Sequence, residues 1–477
     1  NTAFGLQAQF VTDNERYVVL GNYRNNRFRW RENGGIKYDS LFSDNIETDR
    51  QRITINLSDA DNQIKESGVF IRQFYYFGKK PQHKSYADTL SNDSLVFKGQ
   101  KADSLHRVYN PVRTNFFRHT FTYTRNSLLY TDSNPLSGYY SNIYMDSTAT
   151  YDSLYYHEFV NDLSFEGGVG RTRGPEKAVR LRAGLEYTLG VYRNDTISRK
   201  FARLTTYAWL SANAFGIARI EGRIWVTQGN PFNGDKGLSA LLSLPAFDNS
   251  NSWGNLTASL SLDGLQPDYI YQYHYSNHFS WENAFGQQTI FSGRAMYNHK
   301  VFKGGFNFYN LTNYVFFNGE ALPQRNSGSF SVNQAWLETS FRLRKFNIEA
   351  FGIWQNASNA SVLHLPDIAA RFSASYSVSL FKRALHLNTG LTALYNTAFY
   401  ADAYMPALRS YYYQNNVKTG NYPYLDAFIN IRVKRARMYL ILKHLNSGLT
   451  GYSYIMVPGY PMPDRGLRFG VSWQFFD

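Results

Sequence analysis

The chain has 477 residues, no cysteine and a net charge of +14, with aromatics at 17% nearly matching charged residues at 18%. A disulfide scaffold and a Cys-based zinc site are excluded by the missing cysteines, and disorder by the aromatics. A helical membrane protein is excluded too: no run approaches the roughly 20 apolar residues of a spanning helix, and mean hydropathy is −0.44.

What fits a large, Tyr-, Phe-, Asn-, Ser- and Gly-rich chain of this polarity is a transmembrane β-barrel, whose strands turn one face to lipid and one to water. In chain order, residues 4–10 read as a strand pairing with residues 17–23 across Thr12-Asp13-Asn14. Residues 52–57 are the place where a strand is most easily miscounted. Residues 179–191 set Val179, Leu181, Ala183, Leu185, Tyr187, Leu189 and Val191 against Arg180, Arg182, Gly184, Glu186, Thr188 and Gly190. That period of two gives one apolar and one polar face, where a helix would scatter the charge all round. Weaker alternation runs through residues 202–214, 217–228 and 335–343. It is strong again at 368–380, at 425–434 with Phe428 as the exception, and at 467–475.

A soluble sandwich also alternates. These segments run about 10 to 14 residues, however, against the 5 or 6 usual in globular strands and the 9 to 11 a membrane strand needs. Aromatics crowd the strand ends (Tyr309 and Tyr314; Tyr395, Phe399 and Tyr400; Trp473 and Phe475), as in interfacial girdles. Connections alternate in length. Short ones fall at Lys434-Arg435, Phe381-Lys382-Arg383-Ala384, Arg344-Lys345 and His299-Lys300-Val301; long ones fall at 401–422, 316–328 and 127–155. Outer-membrane barrels have short periplasmic turns and long extracellular loops, which places the short set in the periplasm. The polar stretch 79–110 breaks the length rule by falling on the same side.

The expected fold is therefore all-β: a transmembrane antiparallel up-and-down β-barrel of about 18 strands, in a range of roughly 16 to 20, counted from near Arg16. Residues 1–477 form a single domain. The strand at 4–10 makes the count odd. Either the sequence begins partway into the barrel or one N-terminal strand does not cross the membrane. With no initiating Met and no signal peptide at Asn1, the chain is expected to be processed or incomplete.

Two strings resemble the putative porin family of Bacteroidota outer membranes: Glu32-Asn33-Gly34-Gly35-Ile36, and Ser276-Asn277-His278-Phe279-Ser280-Trp281-Glu282-Asn283. The spread of strands over the whole chain extends the resemblance. It implies an outer-membrane channel, defines no catalytic residues, and implies further barrel sequence before Asn1. One departure is the C-terminus. Such barrels commonly end in an aromatic residue, whereas this chain ends Phe475-Phe476-Asp477; the extra Asp is taken as tolerated.

With the apolar set facing lipid, its alternates line the lumen. The basic lumen residues are Arg180, Arg182, Arg219, Arg223, Arg342, Arg371, Arg432, Lys434, Arg437, Lys443 and Arg468, and the acidic ones are Glu186, Glu221, Glu338 and Asp426. The positive bias predicts a lean towards anions, since wall charge concentrates the opposite ion. The plainer alternatives are pairing that stiffens the wall, within Arg219-Glu221-Arg223 or between Arg432 and Asp426, and, for Lys434, Arg435 and Arg437 at a periplasmic turn, simple solvation of that turn. The Tyr-rich residues 401–422 either fold inward and narrow the lumen or form a docking surface.

Enzymatic signals are thin. His278 beside Ser280 and Glu282 is the one suggestive cluster, and it reads as ordinary loop chemistry. His83, His106, His119 and His157 lack metal-ligand spacing, no cofactor motif is present, and the dispersed charge argues against nucleic acid. The expected location is the cell outer membrane, in contact with its lipid and lipopolysaccharide. Two functions are expected: a passive channel for small polar or anionic solutes, or a structural barrel subunit, plugged or narrow, that docks protein partners in an outer-membrane complex.

Overall fold

A computed structural model describes residues 1–77, 115–136, 138–169, 179–214, 218–244 and 254–473. The stretch 79–110 with His83 and His106, position 217, and the terminal Phe475-Phe476-Asp477 lie outside the described residues. Ten long strands come first: β1 (Thr2–Val11), β2 (Tyr17–Glu32), β3 (Ala60–Phe77), β4 (Asn115–Asp132), β5 (Thr150–Val169), β6 (Val179–Asn194), β7 (Ser198–Ala214), β8 (Ala218–Gln228), β9 (Lys236–Leu244) and β10 (Asn255–Leu265). Nine follow: β11 (Gln288–Asn298), β12 (Phe302–Thr312), β13 (Ser329–Leu343), β14 (Phe346–Ala357), β15 (Ile368–Leu380), β16 (Leu385–Asn396), β17 (Tyr424–Val433), β18 (Ala436–Lys443) and β19 (Gly466–Trp473). All nineteen form one antiparallel sheet in which each strand pairs with its neighbour in sequence.

The expected eighteen strands are β2–β19, and β1 is the odd one. It pairs with β2 as expected, with Phe10 opposite Val19 and Phe4 opposite Asn25. Residues 52–57 are no sheet strand, since Ile55 makes only an isolated bridge to Ile36. Two-residue connections at Arg344-Lys345 and Lys434-Arg435 close two hairpins, with Arg344 and Lys434 at φ 56° and 51°. They lie at one end of the sheet with residues 12–16, 299–301 and 381–384. The loops 33–59, 133–149, 266–287, 313–328, 397–423 and 444–465 lie at the other. By the length rule, the first end is periplasmic.

Exposure separates the two faces. On β6, Leu181, Leu185 and Leu189 are 44–50% exposed while Thr188 and Asn194 are buried. On β19, Leu467, Phe469 and Val471 are 63%, 77% and 65% exposed. Apolar side chains bared to this degree form the outer, lipid-facing surface. The opposite face turns inward, because the loops pack on it.

The sheet curls until its two ends approach. Ile36 N, in the loop after β2, donates to Gly459 O in the loop before β19 at 2.7 Å. Arg50 and Asp464 form an ion pair at 3.0 Å between the same loops. Among the described residues β1 and β19 share no ladder. They run in the same sense, both towards the short-turn end.

Candidate functional site

The extracellular loops form a cap packed on itself. Leu57, Tyr140, Phe279, Trp281, Phe317, Ala321, Ala407 and Leu408, from five loops, share one buried cluster with Ala60 and Tyr130 of the wall. A second cluster joins Ile36, Phe42 and Ile53 to Tyr422, Tyr454 and Ile455. Residues 397–423 thus fold inward. Tyr404 Oη donates to Glu32 Oε1 at 3.0 Å, and the partly buried Arg409 donates to Asn62 Oδ1 at 3.0 Å. Tyr309 and Tyr314 are not girdle residues. They pack against the buried Phe330, Val332 and Val362 beneath the loops, because β12 and β13 turn their upper inward positions towards the cap.

Both strings that carry the family resemblance lie in this cap. Glu32 is buried and accepts from Trp30 Nε1 and Asn62 Nδ2, both at 2.7 Å. Gly35, at φ 80°, lies against Gly459, where a Cβ would fall 3.0 Å from the Gly459 carbonyl oxygen. Asn277 uses all of its side chain: Oδ1 accepts from Met145 N and Asp146 N at 3.0 and 2.9 Å, and Nδ2 donates to Asp146 O and Thr150 Oγ1 at 2.8 Å. His278 is occupied by Thr150 Oγ1 at 2.9 Å and Asn142 O at 3.0 Å, and it stacks on Tyr140. Glu282 faces Arg199 instead, at 3.4 Å. The His278, Ser280 and Glu282 trio is therefore cap architecture. Burial pushes His274 down to about 3 and lowers His278. It also drives Arg409 below its ordinary value.

Below the cap, the wall formed by β4–β8 is charged but mostly paired. Arg180 and Arg182 both bind the fully buried carboxylate of Glu166 on β5, Arg182 through Nε at 2.7 Å, and both lie over the ring of Trp209. Arg118 pairs with Asp162 at 2.9 Å and Arg203 with Glu158 at 3.8 Å. Tyr207 Oη accepts from Arg118 and donates to Asp162. Arg219 pairs with Glu221 at 2.7 Å. Glu186 and Arg223 line the same recess of about 600 Å³ as Arg118, Arg182 and Arg203.

The wall formed by β13–β19 differs. Asp426 is taken by Lys443 at 2.5 Å, not by Arg432. Glu338 lies opposite Lys303 across the β12–β13 ladder. Arg468 joins Lys443 in a cavity of about 270 Å³ under loop 444–465, and Arg371 faces Phe351 and Leu394. Arg342, Arg432 and Arg437 line a recess of about 600 Å³ near the short-turn end with His386. Among the described residues none of Arg223, Arg342, Arg371, Arg432, Arg437 and Arg468 has a carboxylate within the 4.0 Å of an ion pair. Lys434 is not on the wall: it occupies the tight turn after β17, because the strand ends at Val433.

Sequence reasoning missed Glu166, Asp162, Arg118 and Arg203. Their strands run 17 to 20 residues, longer than the roughly 9 to 11 that cross the bilayer. Along β5 the outer face mixes polar Ser153, His157 and Asn161 with apolar Phe159 and Leu163, and the inner face includes Leu154 and Val160, so the period blurs. The inward row Glu158, Asp162, Glu166 at even spacing was the available signal.

Among curated proteins there is no match. Among solved structures the chain resembles the copper transporter OprC (11% identity, TM-score 0.63, covering 99% of this chain and 71% of that one). It also resembles the ferric-catecholate import receptor Fiu from K12 E. coli (12%, 0.62, 98% and 73%). The FrpB iron transporter from Neisseria meningitidis is similar as well (8%, 0.62, 99% and 72%). At these identities the likeness shows the fold, an outer-membrane β-barrel. Residues 1–477 match throughout the family described as "Putative porin", and the chain belongs to that family of outer-membrane β-barrels with a role in transport.

Proposed function

We propose that the barrel is a porin-like conduit for small polar solutes that favours anions and is restricted at its extracellular mouth by the loop cap. The supporting observation is the contrast between the two walls. Cations on β4–β8 are largely neutralised by carboxylates, while Arg342, Arg432 and Arg437 near the periplasmic end are not. An uncompensated positive wall attracts anions and raises their local concentration. The test is conductance of the purified barrel in planar bilayers under a salt gradient. A reversal potential on the anion side supports this function; cation preference or silence overturns it.

The cap favours a second reading, a structural barrel closed at rest whose loops dock other outer-membrane proteins. Its two apolar cores join six of the loops at the extracellular end. Silence in bilayers together with stoichiometric partners in mild detergent would favour this one.

A further inference from the structure

The periplasmic recess is built in two cross-strand rows on the inward face. The first row runs Ser379 on β15, His386 on β16, Arg432 on β17, Arg437 on β18 and Ser472 on β19, each directly opposite the next. The second, one inward position above, runs Ser377, Asn388, Asn430, Tyr439 and Gly470. Arg342 on β13 also lines the recess, as do the apolar Val378, Leu387, Ile431 and Met438 between the two rows, while Gly470 does not reach it.

Two features of the first row are unusual. Arg432 and Arg437 face each other across the β17–β18 ladder, where opposed Cβ atoms stand roughly 4.5–5.5 Å apart and like charges destabilise the pair. Elsewhere in this wall such a position is compensated: Asp426 and Lys443, near the other end of the same ladder, are of opposite sign and bond at 2.5 Å. Neither row contains a carboxylate. Among the described residues Arg432 and Arg437 have no ion pair, and Arg342 donates from Nε to its own turn, to Arg344 O at 3.0 Å. His386 Nδ1 is fixed by Ser379 Oγ at 2.8 Å. The second row adds hydroxyl and amide groups, and its Asn388 Oδ1 is buried without a hydrogen-bond partner.

We infer that this recess is a binding site for a phosphate-bearing solute, with Arg432 and Arg437 as its paired ligands and Arg342 closing it from the side. Guanidinium groups bind phosphate through parallel charge-assisted hydrogen bonds. A doubly charged tetrahedral anion between two facing arginines offsets their mutual repulsion. The Ser and Asn side chains supply further hydrogen-bonding groups along the recess, whose volume of about 600 Å³ leaves room for the rest of a solute beyond its phosphate. The recess opens on the lumen, so the ligand is a free solute and not a lipid headgroup. This deepens the anion-conduit function, and rests on it only in taking the lumen as a path for solutes.

The test is inorganic phosphate titrated into the purified, detergent-solubilised barrel by calorimetry, which needs no conduction. The native chain should bind saturably, and more weakly as salt rises. Replacing Arg437→Gln should weaken binding about tenfold, and Arg432→Gln with Arg437→Gln about a hundredfold, at about tenfold per charged contact. Arg52→Gln, in an extracellular loop, should bind as the native chain does. Heat-modifiable migration in gels verifies that the variants remain folded, and removing one of two facing charges should not impair it. No saturable binding, or binding indifferent to the double substitution, overturns the site. Binding of phosphatidylglycerol in mixed micelles with none of inorganic phosphate overturns it as well. A barrel that binds phosphate but is silent or cation-selective in bilayers would leave the site standing and sink the conduit.

Discussion

Tyr207 on β7 lies directly over Gly184 on β6, its cross-strand partner, so closely that a Cβ on Gly184 would fall 2.5 Å from the ring. Four other inward aromatics stand in the same relation to a facing glycine: Phe201 to Gly190, Trp225 to Gly237, Trp336 to Gly305 and Tyr439 to Gly470. Glycine leaves room for the ring to fold down on the wall, and the ring covers backbone that glycine leaves bare. Substituting Gly184→Val should lift Tyr207 off its bonds to Arg118 and Asp162 and turn it into the lumen. The expected cost is about 1–3 kcal/mol, read as a lower unfolding midpoint, with reduced single-channel conductance. Gly352→Ala, where nothing lies within 4 Å of the added carbon, should change neither.

Glu166 stands between two arginines with no solvent exposure, while Arg180 and Arg182 are 29% and 30% exposed. Glu166→Gln leaves both cations without a counter-charge. Because the arginines reach solvent, the loss should be below that of a fully buried pair, about 2 kcal/mol. Two newly uncompensated charges should also shift the reversal potential further towards anions. A shift towards cations would contradict the assignment of this wall to the lumen.

Two histidines of the cap should loosen it in acid, while Asp152, which burial pushes up to about 7, acts in the opposite direction. His274 and His278 are held neutral by burial, below the ordinary 6.5, with His274 at about 3. In an opened cap each would titrate normally. Their contribution is therefore complete above pH 6.5 and is lost progressively as pH falls below it, for His274 down to about 3. Hydrogen-exchange protection in residues 133–149 and 266–287, corrected for the slower intrinsic exchange in acid, should carry this histidine contribution as a loss between pH 7.5 and pH 5. His274 has no hydrogen-bond partner on either ring nitrogen and stacks on Trp281, so His274→Phe should fold normally and flatten part of this dependence.

Asn277 ties residues 145–150 to the loop before β11 through four side-chain hydrogen bonds. Asn277→Ala should cost about 2–3 kcal/mol locally, since buried groups lose partners on both loops. Limited proteolysis should then cut within residues 133–149 while the strands stay protected. Equal protection of that loop would mean that the aromatic cluster alone holds the cap.

The strands are legible in the sequence because lipid and water impose the period of two directly. Alternation alone puts Arg180, Glu186 and Arg223 on the inward face, and the two-residue turns announce themselves at Arg344-Lys345 and Lys434-Arg435. The charge partners are not legible in the same way. Alternation tells which face a residue occupies but not its cross-strand register, so it matches Asp426 to Arg432 on its own strand instead of Lys443 on the next. Glu166 escapes because the alternation of β5 is clean only over its last stretch, around Leu163 and Phe165, and blurs over the residues before it. The cap escapes for a different reason: loop packing follows no period, and Leu57, Phe317 and Leu408 meet only once the sheet curls.

The bonds that tie two loops of the cap also hoop the staves. Loops 33–59 and 444–465 belong to strands near the two unjoined ends of the sheet, and they are tied by Ile36 to Gly459 and by Arg50 to Asp464. Withdrawing these loops to clear a passage would untie the rim beside the seam between β1 and β19. Clearing the mouth and slackening the cylinder are thus one mechanical event, and a ligand or partner that grips either loop acts on both.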